Sequence, residues 1–140
     1  MELIDSALLD ALRDAAKTNP RLRMNRNFHK TLDAPAQRLL NALEPGTSVP
    51  AHRHAATAET YVVLRGKLRV DFYDDSGRVT ESAELDPAQG NFGVHIPAGT
   101  WHGVTPLESG TVIFEVKDGP YTPISEENIL RVPAAEVSRP

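Results

Sequence analysis

From Lys67 to Tyr73 the chain alternates polar and apolar, with Leu68, Val70 and Phe72 on one parity. Successive residues of a strand point to opposite faces, so this spacing predicts a strand with one buried face. The form recurs along the chain. Residues 36–44, Ala-Gln-Arg-Leu-Leu-Asn-Ala-Leu-Glu, read as a strand closed by the turn signal Pro45-Gly46. The next strand is expected to carry His52 and His54, and the one after it starts near Glu59 and runs through Tyr61-Val62-Val63-Leu64 to the Arg65-Gly66 turn. Residues 79–85, 94–96, 101–105 and 111–116 read as further strands. Asp74-Asp75-Ser76-Gly77, Asp86-Pro87-Ala88-Gln89-Gly90 and Pro97-Ala98-Gly99 punctuate them. Strands of about five to seven residues with turns every eight to twelve or so indicate an all-β sandwich or barrel. No helical pattern separates the strands, which excludes parallel βαβ units.

The ends differ from the middle. Residues 4–18 have helical spacing, with Ile4, Leu8, Ala11, Leu12 and Ala15 on one face. Asp5 or Ser6 can cap the start, and Asn19-Pro20 stops it. So thin an Ala-rich stripe suits a helix packed on the outside of a barrel. From Gly119 the chain is Pro-rich; one or two helical turns are expected over 125–130, and an extended or frayed end beyond. The chain therefore divides into residues 1–35, a helix and a basic arm packed on the barrel; 36–118, the barrel; and 119–140, a C-terminal extension, all within one structural domain.

At 140 residues the chain is long enough for one real core. There is no run near the ~20 apolar residues of a membrane-spanning helix. The start, Met-Glu-Leu-Ile-Asp, lacks the basic and apolar regions of a signal peptide, so a cytoplasmic protein is expected. Cysteine is absent, which excludes disulfides, thiolate metal sites and cysteine nucleophiles. The net charge of −4 argues against nucleic acid as a partner. Its distribution says more. Between Asp14 and Asp33 lie Lys17, Arg21, Arg23, Arg26, His29 and Lys30 and no acid, which suggests a local anionic partner.

His52 and His54, two apart, can lean toward one ion from the same face of a strand. The short Ala/Thr segment before Glu59 suits a return that brings its carboxylate beside them. A third imidazole, His102, follows the Pro97-Ala98-Gly99 turn. His95 has the parity opposite to Val94 and Ile96 and should face away. Trp101 is expected to pack, with a subunit contact as its other place. Imidazole suits Zn, Cu, Fe and Ni, and carboxylate adds Mn. The expected cofactor is one divalent metal ion (Zn, Fe, Mn or Ni) on His52, His54, Glu59 and His102. Four ligands on an ion that accepts six leave room for a guest. Because the ligands bind deprotonated, affinity should fall as pH drops through the histidine range near 6.5.

Gly46, His52, His54, Glu59 and Gly66 match every fixed position of the first cupin motif, G-x5-H-x-H-x4-E-x6-G. Pro97, Gly99 and His102 match the P-x-G-x2-H core of the second. Two departures stand out. Six residues rather than five separate Gly90 from Pro97, and Pro106 occupies the usual closing Asn position. Beyond the motifs, the whole chain resembles the small WbuC-type cupin metalloproteins. The phrases that carry this are Pro20-Arg21-Leu22-Arg23-Met24-Asn25, Gln37-Arg38-Leu39-Leu40-Asn41-Ala42-Leu43-Glu44-Pro45-Gly46 and Phe114-Glu115-Val116-Lys117-Asp118-Gly119-Pro120-Tyr121. The resemblance implies a double-stranded β-helix (jelly-roll) barrel, a bound metal and a homodimer. The family's name comes from bacterial surface-polysaccharide genes, which points to sugar chemistry.

Along 21–30, Arg23, Asn25, Asn27 and His29 alternate with Leu22, Met24, Arg26 and Phe28. Such a strand has one wholly polar face, either a solvated edge or a substrate rim. As a rim, Arg21, Arg23, Arg26 and Lys30 would anchor phosphate or carboxylate, and Asn25 and Asn27 would meet hydroxyls. Tyr61 and His29 are the candidates for moving protons. The expected function is a metal-dependent isomerase- or epimerase-like enzyme acting on a sugar phosphate or nucleotide sugar. A non-catalytic sugar or metabolite sensor and an iron-dependent dioxygenase are the alternatives.

Overall fold

Asp5 sets the first boundary. Its extended backbone and its carboxylate, which accepts from the Leu8 N–H at 3.0 Å, cap helix α1, Ser6–Thr18. Asn19 returns to extended backbone ahead of Pro20 and ends it. In the computed structural model, which describes residues 1–131, eight strands follow. They are β1 Arg23–Asn27, β2 Ala36–Leu43, β3 Glu59–Arg65, β4 Leu68–Tyr73, β5 Val79–Leu85, β6 Gly93–Ile96, β7 Trp101–Pro106 and β8 Thr111–Asp118. Short 3-10 turns cover Pro87–Gln89 and Glu126–Asn128. Residues 132–140, including the tail expected to be extended, lie outside the described residues.

Every strand pairing is antiparallel. The larger sheet has the order β1-β2-β8-β3-β6, and the smaller β5-β4-β7. The basic arm thus supplies an edge strand. Residues opposite one another in register share a face, so the larger sheet sorts its side chains cleanly. Met24, Ala42, Val112, Leu40 and Phe114 lie on the outer face, where Leu9, Leu12 and Ala16 of α1 cover them. The inner face meets Leu68, Val70 and Phe72 of β4 to form the second core, with Leu43, Val63 and Ile113.

Along β8 the inner positions run Thr111, Ile113, Glu115, Lys117, and along β3 they run Val63, Tyr61, Glu59 in register with them. One end of the barrel is therefore filled with aliphatic side chains and the other is polar. That gradient locates the site.

Two expectations change. The buried stripe of α1 is Leu9, Leu12 and Ala16 rather than one through Ile4 and Ala11. Ile4 precedes the helix and is half exposed, and the sheet receives a face turned by about one residue. Residues 47–58 do not form a strand through both histidines; His52 alone makes isolated bridges, to His102 and to Ile129. Pro50 cannot donate to a ladder, which limits the pairing to a single position. No helix among the described residues is long and apolar enough to cross a membrane.

Candidate metal centre

Three segments deliver the four donors. His102, on β7, is 1% exposed. Its Nδ1 lies 2.9 Å from the Thr100 carbonyl and its Nε2 lies 2.8 Å from Glu59 Oε1. The His52 N–H donates to the His102 carbonyl and the His102 N–H donates back, each at 2.9 Å, so the two backbones are locked together. His52 Nδ1 sits 2.8 Å from the Pro50 carbonyl. In both rings a backbone carbonyl accepts at Nδ1 and Nε2 is directed inward, the orientation a metal ligand needs. The Gly99 N–H donates to the His54 carbonyl at 2.8 Å, so the turn after Pro97 braces that residue. His54 Nε2 lies 3.3 Å from Glu59 Oε2. Glu59, 3% exposed at the start of β3, also accepts from the Tyr61 hydroxyl at Oε1.

One donor atom from each of His52, His54, Glu59 and His102 lies within 4.8 Å of all the others. This is close to the span of atoms around one ion bonded at about 2.0–2.2 Å. The protonation states fit as well. Burial, and then His102, push the His52 imidazole down to about 4, against the Pro50 contact that favours its charged form. Burial alone would raise Glu59. Its bonds to His102 and His54 outweigh that and hold it well below the usual carboxylate range. A neutral imidazole and an ionised carboxylate are what a divalent cation binds. The residues present fit the ion expected from the sequence.

The cluster opens into a cavity of about 220 Å³. Tyr61, Asn41 and Glu115 continue its wall, and Arg21, Arg23, Asn25 and Lys117 are charged or polar residues on its lining. Burial, with the charges of Glu115 and Glu59, raises the Tyr61 phenol, so it keeps its proton. Burial and the charge of Glu59 push Glu115 up to about 6, against the hydrogen bond from Asn41. A second cavity, of about 190 Å³, shares His54, Lys117 and Ile124 with the first.

The basic arm divides. Arg21, Arg23 and Asn25 reach the cavity, and Arg23 Nη1 also donates to the Ser48 carbonyl at 3.0 Å. Arg26, Asn27, His29 and Lys30 are not on its lining. Arg26 belongs to the outer face and pairs with Glu2 at 3.0 Å. His29 is partly exposed, its Nδ1 3.1 Å from the Arg38 backbone. His95 faces away from the cluster, as expected, with Nδ1 2.9 Å from Thr60 Oγ1. Trp101 packs within its own chain: its indole N–H donates to Asp75 at 2.8 Å and the Arg53 guanidinium lies 4.1 Å over the ring.

Sequence reasoning missed Asn41, Glu115 and Lys117. For Glu115 and Lys117 the signal is the alternation in β8, where Val112, Phe114 and Val116 interleave with Ile113, Glu115 and Lys117. It reads as an ordinary solvated face, because only the fold shows that α1 covers part of the apolar side.

A family model described as a domain of unknown function, DUF6016, matches residues 4–85. No curated protein matches the chain. Solved structures do. KdgF from Halomonas sp. is 18% identical, with 75% of this chain and 85% of that one covered and a TM-score of 0.58. A cupin 2 domain-containing protein from Halorhodospira halophila is 17% identical over 81% of this chain and 72% of that one, at a TM-score of 0.56. A putative sugar phosphate isomerase from Acidithiobacillus ferrooxidans is 20% identical over 69% of this chain and 59% of that one, at a TM-score of 0.55. Similarity at this level is similarity of fold, and the fold is the cupin double-stranded β-helix barrel.

Proposed function

We propose a function for a chain that belongs to the DUF6016 family, a domain of unknown function: a metal-dependent isomerase- or epimerase-like cupin acting on a small anionic sugar, with a sugar phosphate as the best fit. One observation carries the reading. His52, His54 and Glu59, which cluster with the buried His102, line a cavity whose wall also presents Arg21 and Arg23. A bound ion would supply a Lewis acid that polarises a substrate carbonyl or hydroxyl. Arg21 and Arg23 would take the anionic end in the forked geometry that suits phosphate or carboxylate. Tyr61 holds its proton against Glu59, which supports a role in orienting that carboxylate or handing on a proton. At about 220 Å³ the cavity is smaller than the ~300–1,000 Å³ typical of drug-sized ligands. That favours a monosaccharide over a nucleotide sugar. His29, Arg26, Asn27 and Lys30 have no role in this reading.

The finer assignments are proposals too. The WbuC-type resemblance rests on the sequence phrases alone, one of which, Phe114 to Tyr121, contributes Glu115 and Lys117 to the cavity wall. A role in surface-polysaccharide biosynthesis follows only from that resemblance. A homodimer is supported by Val62, Leu64 and Phe92, which are 39%, 40% and 59% exposed on and beside β3 near the edge strand β6. Light scattering that reports a monomer at micromolar concentration would remove the dimer.

Elemental analysis of the purified protein should find one divalent ion per chain. Thermal shift with the loaded protein should then show a rise in melting temperature with hexose phosphates, since a ligand that binds only the folded state stabilises it. Product formed from such a ligand supports the enzyme, and binding without product assigns the pocket to sensing. A protein purified without stoichiometric metal, and unable to acquire it, would sink the reading.

A further inference from the structure

Asn41 projects from β2 into the cavity next to Glu115 of β8. Its Nδ2 donates to Glu115 Oε1 at 2.9 Å. Its Oδ1 is buried and has no partner within the protein, alone among the described side-chain atoms in this respect. Buried polar atoms are nearly always satisfied, and an unpartnered one on a side chain that lines a cavity points to a guest whose arrival completes the bond. The partner it needs is a donor. An ionised Glu115 also only accepts. Two adjacent groups therefore ask for donors, a few residues from where the metal ligands sit.

The charges decide which donor. An ammonium would satisfy both groups, but Arg21, Arg23 and Lys117 line the same cavity and oppose a cation. A hydroxyl carries no charge, and an anion on the same molecule would meet the guanidinium groups. We infer that Asn41 and Glu115 form a hydroxyl-binding subsite, so that the ligand is a polyhydroxylated anion whose hydroxyls, and not its charge alone, are recognised. This rests on the ligand pocket proposed above and narrows its substrate class to polyol phosphates or polyol carboxylates. The sequence hid the subsite because a lone Asn in β2 and a lone Glu in β8 come together only through the pairing of those strands, in which Asn41 opposes Ile113 and Leu39 opposes Glu115.

The test is calorimetric titration of the metal-loaded protein with four probes: glucose 6-phosphate and gluconate as polyol anions, ethyl phosphate and propionate as hydroxyl-poor counterparts. The wild-type protein should bind each polyol anion at least tenfold more tightly than its counterpart. Asn41→Leu should weaken the polyol anions by about tenfold while leaving ethyl phosphate and propionate unchanged. Should that variant not fold, Glu115→Gln, which preserves size, should weaken the polyol anions by a similar factor. Whichever polyol anion binds tells phosphate from carboxylate. Equal affinity for polyol and simple anions in the wild type, or a polyol preference that survives both substitutions, would overturn the subsite. Elemental analysis of each sample separates this from a failure of the metal site. A protein without metal that still prefers polyol anions retains the subsite and loses the Lewis acid.

Discussion

Glu115 is the residue whose surroundings make the sharpest demand. Its folded-state pKa, about 6, stands above its ordinary 4.5 because burial and the charge of Glu59 disfavour the carboxylate. Between those values the folded metal-free protein holds a proton that the unfolded chain has released. The group therefore favours folding most below pH 4.5, and that contribution is lost as pH rises through 6. Glu115→Gln removes the titration. Relative to the wild type, the variant should gain stability as pH rises from 4.5 to 7, and urea unfolding of both metal-free proteins at the two pH values reads the difference. A difference that does not change with pH would mean that Glu115 is solvated. Glu59 is the opposite case, since its neighbours favour its charge. Glu59→Gln should abolish stoichiometric metal binding, checked by elemental analysis, because an amide cannot supply the anionic donor. The sequence displayed Glu59 through its spacing from His52 and His54. Glu115 has no such spacing, so its environment depends on strands distant in the chain.

The elements show why some patterns are legible. Leu68, Val70 and Phe72 read correctly because β4 has one face in the core and the alternation has one meaning. In β1 and β8 the meaning is inverted. Met24 and Phe114 turn outward under α1, and Arg23, Asn25 and Glu115 turn inward to the cavity. An alternating strand states that it has two faces and leaves open which is inside. The α1 layer supplies the answer, so it should be tightly coupled to the sheet. Leu40 is 0% exposed between them, and Leu40→Ala should cost about 2–5 kcal/mol in chemical denaturation. The β3–β4 turn makes a second demand. Gly66 has φ of +87°, and a Cβ there would meet Thr111, with the Thr111 Cα at 2.7 Å. Gly66→Ala should be destabilised by at least ~1–3 kcal/mol in the same assay, since neither the dihedral nor the backbone opposite can yield cheaply.

At the scale of the molecule, the segment after β8 closes the open end. The sequence beyond Gly119 predicted a helical turn over 125–130, where Glu126–Asn128 form one, but not where the segment packs, because its partners lie about 75 residues earlier in the chain. In the fold it runs back beside the metal ligands. The Arg53 N–H donates to the Asn128 carbonyl at 3.0 Å, and the Leu130 N–H donates to the Ala51 carbonyl at 2.8 Å. Ile129 bridges His52 on the side away from His102, so His52 is held between β7 and this segment. Ile124 lines both cavities. The segment thus braces one of the four donors, His52, without contributing one. Leu130→Pro removes one of the bracing N–H donors and is remote from the cavity lining. The brace predicts an unchanged metal stoichiometry with faster loss, so release to a chelator should accelerate several-fold and amides near His52 should exchange sooner. Exchange and release rates matching the wild type would mean that β7 alone holds the histidines in place.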